Sequence, residues 1–204
     1  MAPPRSASDL TLLPGTWVSS RSEASTEVVP NYARAFSSRP QVYAAWQALG
    51  AAVSGAMDHE VYEAATVGAA RALRSTYCSL AHGRTVLEKY TDEAGLRRLL
   101  DAADSRDVAG AAGRLEAVAA FAAQVATAAT EVDAEDIAAL SRHGLDEQTI
   151  LDVVLAAAAR CFFSTVLDGT GTRADEQYRS EFSPELLAAL SVGRPVAGIP
   201  WSSG

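Results

Sequence analysis

The chain has 204 residues, enough for one domain, and 49% of them are hydrophobic, mostly Ala, while only 7% are aromatic. Its net charge of -8 comes without any cluster of Lys or Arg, so the surface repels phosphate backbones and anionic lipid, which excludes nucleic acid and membrane as partners. Two cysteines are too few for a disulfide-stapled secreted scaffold, and a reducing, cytoplasmic setting is expected.

A core of small residues implies helices packed closely together. No Val or Ile run alternates as a half-buried strand would, so the expected fold class is all-α, without a sheet. The opening residues "MAPPRSASDLTLLPG" lack the apolar stretch and positive flank of a signal peptide. No run is expected to cross a bilayer, since the longest, "ILDVVLAAAARCFF", is broken by Asp152 and Arg160.

In chain order, Pro30 suits the first turn of a segment "NYARAFSSR", and Pro40 opens "QVYAAWQALGAAVSG", where Val42, Trp46 and Leu49 recur at helical spacing. Asp58 precedes a helix pattern running to Leu73 or Arg74, and Ser75 suits the N-cap of "TYCSLAHGRTVLEKY". Two Ala-rich periodic segments follow, "EAGLRRLLDAA" and "VAGAAGRLEAVAAFAAQVATAA". Acids at Asp133, Glu135 and Asp136 start the next helix, which Gly144 stops. Asp146 caps the longest one, ending at Gly169 or Gly171, and Ser183 with Pro184 begins a short last helix. Residues 1–24 and 192–204 are expected to be extended or mobile, leaving one helical domain over 25–191. Val196, Ile199 and Trp201 in the tail suit either a partner subunit or a tether along the chain's own domain.

The stretch "RALRSTYCSLAHGRTV" pairs a scarce cysteine, Cys78, with His82 four residues on. With Ser75 as cap, Cys78 takes the third helical position and His82 lies one turn along the same face. Free backbone N–H groups and the helix dipole favour a thiolate there, and a nearby imidazole accepts the proton. Two readings stay open on the residues alone: a reactive thiol, or a buried cysteine that fills space.

The segment "YEAATVGAARALRSTYCSLAHG" resembles the core motif of the alkylhydroperoxidase AhpD-like and carboxymuconolactone decarboxylase superfamily. In the alkylhydroperoxidase form a glutamate is followed, after eleven residues, by a cysteine, two residues, a second cysteine, three residues and a histidine. Glu63, Cys78 and His82 stand at the glutamate, second-cysteine and histidine positions, and Ser75 replaces the first cysteine. "VVPNYARAFSSRPQVYAAWQAL" and "VDAEDIAALSRHGLDEQTILDVVLAAAARCFF" look like the flanking regions of the subgroup labelled peroxidase-related.

The resemblance implies an AhpD-like helical bundle of about eight helices that forms homo-oligomers. It implies Cys78 as the thiol that attacks peroxide, His82 as base and Glu63 as the group that orients or reloads it. Ser75 and Tyr77 are supporting residues. Ser75 cannot form a disulfide, so a sulfenic acid at Cys78 needs an external thiol reductant or Cys161. Cys161, on an Ala- and aromatic-rich helix, reads as a packing residue.

Other residues carry little. Glu60 suits a helix start, His59 is expected to be exposed, and His143 suits a helix C-terminus. No metal-ligand spacing exists and no cofactor is expected. "GTGTRAD" follows a helix and is not a phosphate loop. Trp17, Trp46 and Trp201 read as packing anchors.

The expected activity is that of a one-cysteine hydroperoxide reductase acting on a small-molecule peroxide. One alternative is a decarboxylase-like lyase that works on a small carboxylated substrate through Glu63 and His82. The other is an oligomeric protein without catalysis.

Overall fold

Ten helices and no strand occupy residues 29–198, which are the residues described by the computed structural model. The helices are α1 Asn31–Ala35, α2 Pro40–Ala56, α3 His59–Ala72, α4 Thr76–Lys89, α5 Glu93–Ser105, α6 Arg114–Ala128, α7 Ala134–Arg142, α8 Glu147–Gly169, α9 Tyr178–Glu181 and α10 Pro184–Leu190. Eight of the ten have seven or more residues, and the two short ones, α1 and α9, were too brief to carry a periodic pattern. Residues 1–24, Trp17, Ile199 and Trp201 lie outside the described residues.

Local chemistry fixes most of the boundaries. Asp58 accepts hydrogen bonds from the N–H groups of Glu60 and Val61 at the start of α3. Asp133 and Asp136 form a reciprocal capping box on α7. Asp146 caps α8 through the Thr149 N–H, and Ser183 caps α10 through the Leu186 N–H. Gly144, with φ +80°, takes the left-handed position that closes α7.

Three expectations change at this level. Ser75 sits at the N-cap position of α4 but makes no capping bond, and its buried hydroxyl is turned to the Asp168 carboxyl instead. Thr76 Oγ1 instead accepts from the Gly193 N–H, tying the helix start to the C-terminal segment. The segment "VAGAAGRLEAVAAFAAQVATAA" is not helical from its start. Asp107 Oδ1 takes the Gly110 N–H in a turn, and α6 begins only after Gly113. Finally, Pro30 precedes α1 as its N-cap residue instead of entering its first turn.

The middle of the bundle is α3 against α6, flanked by α4, α5 and α8. Ala64, Ala65, Ala69 and Ala70 of α3 and Ala117, Ala119, Ala120 and Ala123 of α6 are all at most 1% exposed. Small residues let the two backbones approach; a Cβ on Gly68 would stand 2.2 Å from the Ala119 carbonyl oxygen. Phe121, Leu80, Leu96 and Leu167 fill the space around this seam.

At 23 residues, α8 is long and apolar enough to cross a bilayer by length and composition, against the expectation from its sequence. Its inner face is buried against α3 and α6, however, and Asp152 and Arg160 lie on that buried side, as in a core helix. Leu151, Leu155 and Phe162 form a stripe on its exposed side. The neighbouring α2 has no charged residue, buries only Val53, and exposes Val42 and Leu49.

The described part of the tail runs along its own domain. Val196 is fully buried, Arg173 donates to the carbonyls of Pro195 and Val196, and the Ala197 N–H donates to the Ala174 carbonyl. A tether within the domain accounts for this segment, and its burial explains why Val196 is apolar.

Candidate active site

α3 and α4 form a helical hairpin whose turn passes through Arg74 in the left-handed region, with φ 56°. The Ser75 N–H returns to the Ala70 carbonyl, closing α3. This turn sets α4 back along α3 and brings two distant residues together. Glu63 Oε2 is 2.7 Å from His82 Nδ1, so the carboxylate that the sequence pairs with this imidazole does reach it.

Cys78 occupies the first turn of α4 and is 2% exposed. Its sulfur accepts two hydrogen bonds from α8, from Ser164 Oγ at 3.3 Å and from Arg160 Nη1 at 3.6 Å. Residues 160 and 164 are one helical turn apart and face the thiol together. A sulfur held by a hydroxyl and a guanidinium, at the positive end of a helix, is in surroundings that suit negative charge.

Burial, and after it the charge of Arg160, push His82 below the ordinary imidazole range, while the bond to Glu63 pulls the other way. At neutral pH the ring is therefore neutral. With Nδ1 donating to Glu63, Nε2 is left as the basic nitrogen, and it has no partner among the described residues.

Cys78, His82 and Arg160 line one cavity of about 300 Å³. Its remaining wall is largely aromatic: Tyr32 of α1, Tyr43 and Trp46 of α2, Tyr62 of α3, Tyr77 of α4 and Phe163 of α8. Trp46 stacks on Phe163 with centroids 4.0 Å apart, and Tyr62 stands edge-on to His82 at 6.2 Å. Trp46 is thus a packing anchor and a cavity wall at once.

Tyr77 is both buried and at the cavity. Its hydroxyl donates to Asp175 and receives the Tyr32 N–H at 3.4 Å, while Asp175 also accepts the Asn31 N–H at 3.0 Å. Burial and the Asp175 carboxylate hold the Tyr77 phenol far above its ordinary range, so it stays protonated. Its role in the structure is to tie α1 to the rim of the site.

Cys161 is turned elsewhere. Its thiol contacts the Ala126 carbonyl of α6 at 3.8 Å, it is half-buried, and burial raises its pKa. Both cysteines are free. Among the described residues no group of three potential ligands could hold a metal ion. His59 is exposed, and His143 is the C-cap of α7.

Sequence reasoning placed Cys78, His82, Glu63 and Tyr77 in one neighbourhood, and the fold brings all four there. It missed Arg160 and Ser164. The signal for Arg160 was present as a charge inside an otherwise apolar helix, which reads as a buried functional group as readily as a break in a hydrophobic run. Nothing in the sequence marked the aromatic wall, which four separate helices and α1 assemble.

No protein-family model matches the sequence. No curated protein matches it. Solved structures do match. An AhpD-core, uncharacterized peroxidase-related protein from Ralstonia eutropha JMP134 superposes with a TM-score of 0.63 at 22% identity, covering 74% of this chain and 79% of that one. An uncharacterized peroxidase-related protein from Silicibacter sp. TM1040 gives 0.64 at 22% identity, covering 76% and 82%. The debrominase Bmp8, solved as a Cys-to-Ala variant with 2,3,4-tribromopyrrole, gives 0.62 at 15% identity, covering 76% and 81%. The fold of this chain is that of the AhpD core.

Proposed function

We propose that the protein is a cysteine-dependent hydroperoxide reductase with Cys78 as the peroxide-reactive thiol and an external thiol as reductant. The observation that carries this reading is that Cys78, whose sulfur is held by two α8 donors, shares one cavity wall with His82, which Glu63 holds from behind. In the reaction, neutral His82 takes the Cys78 proton, and Glu63 stabilises the imidazolium. The thiolate attacks the distal oxygen of a hydroperoxide. The S–O bond forms as the O–O bond breaks, and the leaving alkoxide takes the proton from His82, giving a sulfenic acid and an alcohol.

Turnover needs two thiols from outside. The first displaces water from the sulfenic acid to give a mixed disulfide, and the second releases Cys78 as a thiol and leaves as a disulfide. Ser75 has no sulfur to contribute, and Cys161 faces α6, so neither supplies the resolving group. The reading also places the protein in a reducing compartment such as the cytoplasm.

A lyase reading is favoured by one observation: Glu63, His82 and Arg160 would serve proton transfer on a carboxylated substrate without a thiol. Reduced protein exposed to hydrogen peroxide and to cumene hydroperoxide, with sulfenic acid trapped for mass spectrometry, separates the two. Adduct at Cys78 with Cys161 unmodified supports the reductase. Equal, slow modification of both cysteines sinks it, and the lyase reading or a non-catalytic scaffold then stands.

The homo-oligomer implied by the resemblance is part of the proposal. The uncharged α2 and the exposed stripe Leu151, Leu155 and Phe162 of α8 support a second copy as the partner that covers them.

A further inference from the structure

Arg160 is 4% exposed, yet no carboxylate pairs with it among the described residues. Of its three guanidinium nitrogens only Nη1 makes a hydrogen bond, to the Cys78 sulfur, and Nε is buried without any partner. Removing a guanidinium from water costs several kcal/mol unless an anion or acceptors replace the lost hydration, so a site built this way calls for one. Cys78 engages one edge of the fork and leaves the remainder.

The cavity around Arg160 is also short of anions. No Asp or Glu lines it, on a chain whose net charge is -8. Glu63 spends its carboxylate on His82 Nδ1, behind the wall. The indole Nε1 of Trp46, another lining residue, is also buried with no partner. The lining therefore offers one fixed positive charge and no carboxylate, set in an aromatic surface beside the neutral His82 ring. At about 300 Å³ it holds a single-ring molecule.

We propose that this cavity is a binding site for a small aromatic carboxylate, with the carboxylate on the Arg160 guanidinium and the ring against the Trp46–Phe163 wall. Planar two-point recognition of a carboxylate is what a guanidinium fork does best, and a ring satisfies the apolar remainder of the wall. The inference deepens the reductase reading and rests on it for the reacting group. The substrate class it names is a hydroperoxide carried on a carboxylated aromatic molecule, held so that its O–O bond meets Cys78. Arg160 then has two duties, one edge toward the sulfur and the other toward the substrate anion.

The test is a calorimetric titration of the reduced full chain with benzoate and with its neutral analogue benzamide, repeated on Arg160→Met, Arg160→Lys and Cys78→Ser. Benzoate should bind at least about tenfold more tightly than benzamide, a difference of about 1.4 kcal/mol. Cys78→Ser should keep that preference and Arg160→Met should lose it. Should Arg160→Met fail to fold, Arg160→Lys decides, because it keeps the charge but not the fork: benzoate then weakens and benzamide does not. Equal binding of the two probes, no binding of benzoate, or a preference untouched by either Arg160 variant overturns the proposal. None of these readouts involves oxidation. Benzoate selectivity with an inert Cys78 removes the reductase and keeps the anion site; a peroxide-reactive Cys78 without benzoate selectivity does the reverse.

Discussion

Glu63 on α3 and His82 on α4 meet at 2.7 Å between Oε2 and Nδ1, nineteen residues apart in sequence. The contact fixes the imidazole tautomer and leaves Nε2 as the base, on a helix that also carries Cys78 one turn earlier. General-base assistance of this kind contributes about 10²–10⁴-fold. His82→Gln should therefore slow Cys78 oxidation by about 100-fold or more, followed as sulfenic-acid adduct against time. Glu63→Gln should cost less, about tenfold, because it removes orientation and imidazolium stabilisation but not the base. Unchanged rates in both variants would remove the pair from the mechanism.

Because burial and the Arg160 charge lower the His82 pKa from the ordinary imidazole value of about 6.5, the acid limb of Cys78 oxidation due to His82 should lie below pH 6.5. The same shift acts on stability. Unfolded chains bind the proton at higher pH than folded ones, so stability associated with neutral His82 is fully present above about pH 6.5 and lost as pH falls through the window beneath it. Urea midpoints at pH 7.5 and pH 5.5 should differ more for the parent than for His82→Gln. An equal pH response in both would contradict the assignment.

Ser164 donates to the Cys78 sulfur from the buried face of α8. Ser164→Ala removes one hydrogen bond, worth about 0.5–1.5 kcal/mol, and should slow oxidation of Cys78 by about two- to tenfold with little change in fold. Mass spectrometry of the trapped adduct reads the rate, and circular dichroism checks the helices. Oxidation as fast as in the parent would show that the hydroxyl does not hold the reactive sulfur.

Gly68 lies where α3 and α6 come closest, and a Cβ there would stand 2.2 Å from backbone at Ala119. Gly68→Ala should destabilise the bundle by about 1–3 kcal/mol through overpacking, despite alanine's better helix propensity. Denaturant unfolding measures it, and a stabilised variant would contradict so tight an α3–α6 seam.

Light scattering of the purified chain should give a mass above one subunit, and Leu155→Glu should lower it by placing charge on the exposed α8 stripe. A monomeric parent would refute self-association through this face.

Much of this protein is readable from residues that act locally. Asp58, Asp133, Asp146 and Ser183 start their helices through short-range hydrogen bonds, and Gly144 ends one because its backbone needs a positive φ. The spacing of Glu63, Cys78 and His82 likewise survives translation into structure, since all three lie on two consecutive helices joined by a tight turn. Ser75 shows the limit of that local reading. A serine before a helix satisfies the capping rule, but Thr76 and the distant Gly193 settle how α4 begins.

The sequence by itself determined the all-helical class, most helix ends and the Cys78–His82 register, because these depend on neighbours within a turn or two. Only the tertiary structure decided that Glu63 touches His82, that Arg160 and Ser164 reach the sulfur, that an aromatic wall encloses them, and that Val196 is buried against its own domain. Those relationships depend on which helix faces pack together. In a bundle whose central seam is nearly all alanine, no single side chain announces its partner, and the pairing follows from close backbone approach across the whole α3–α6 contact.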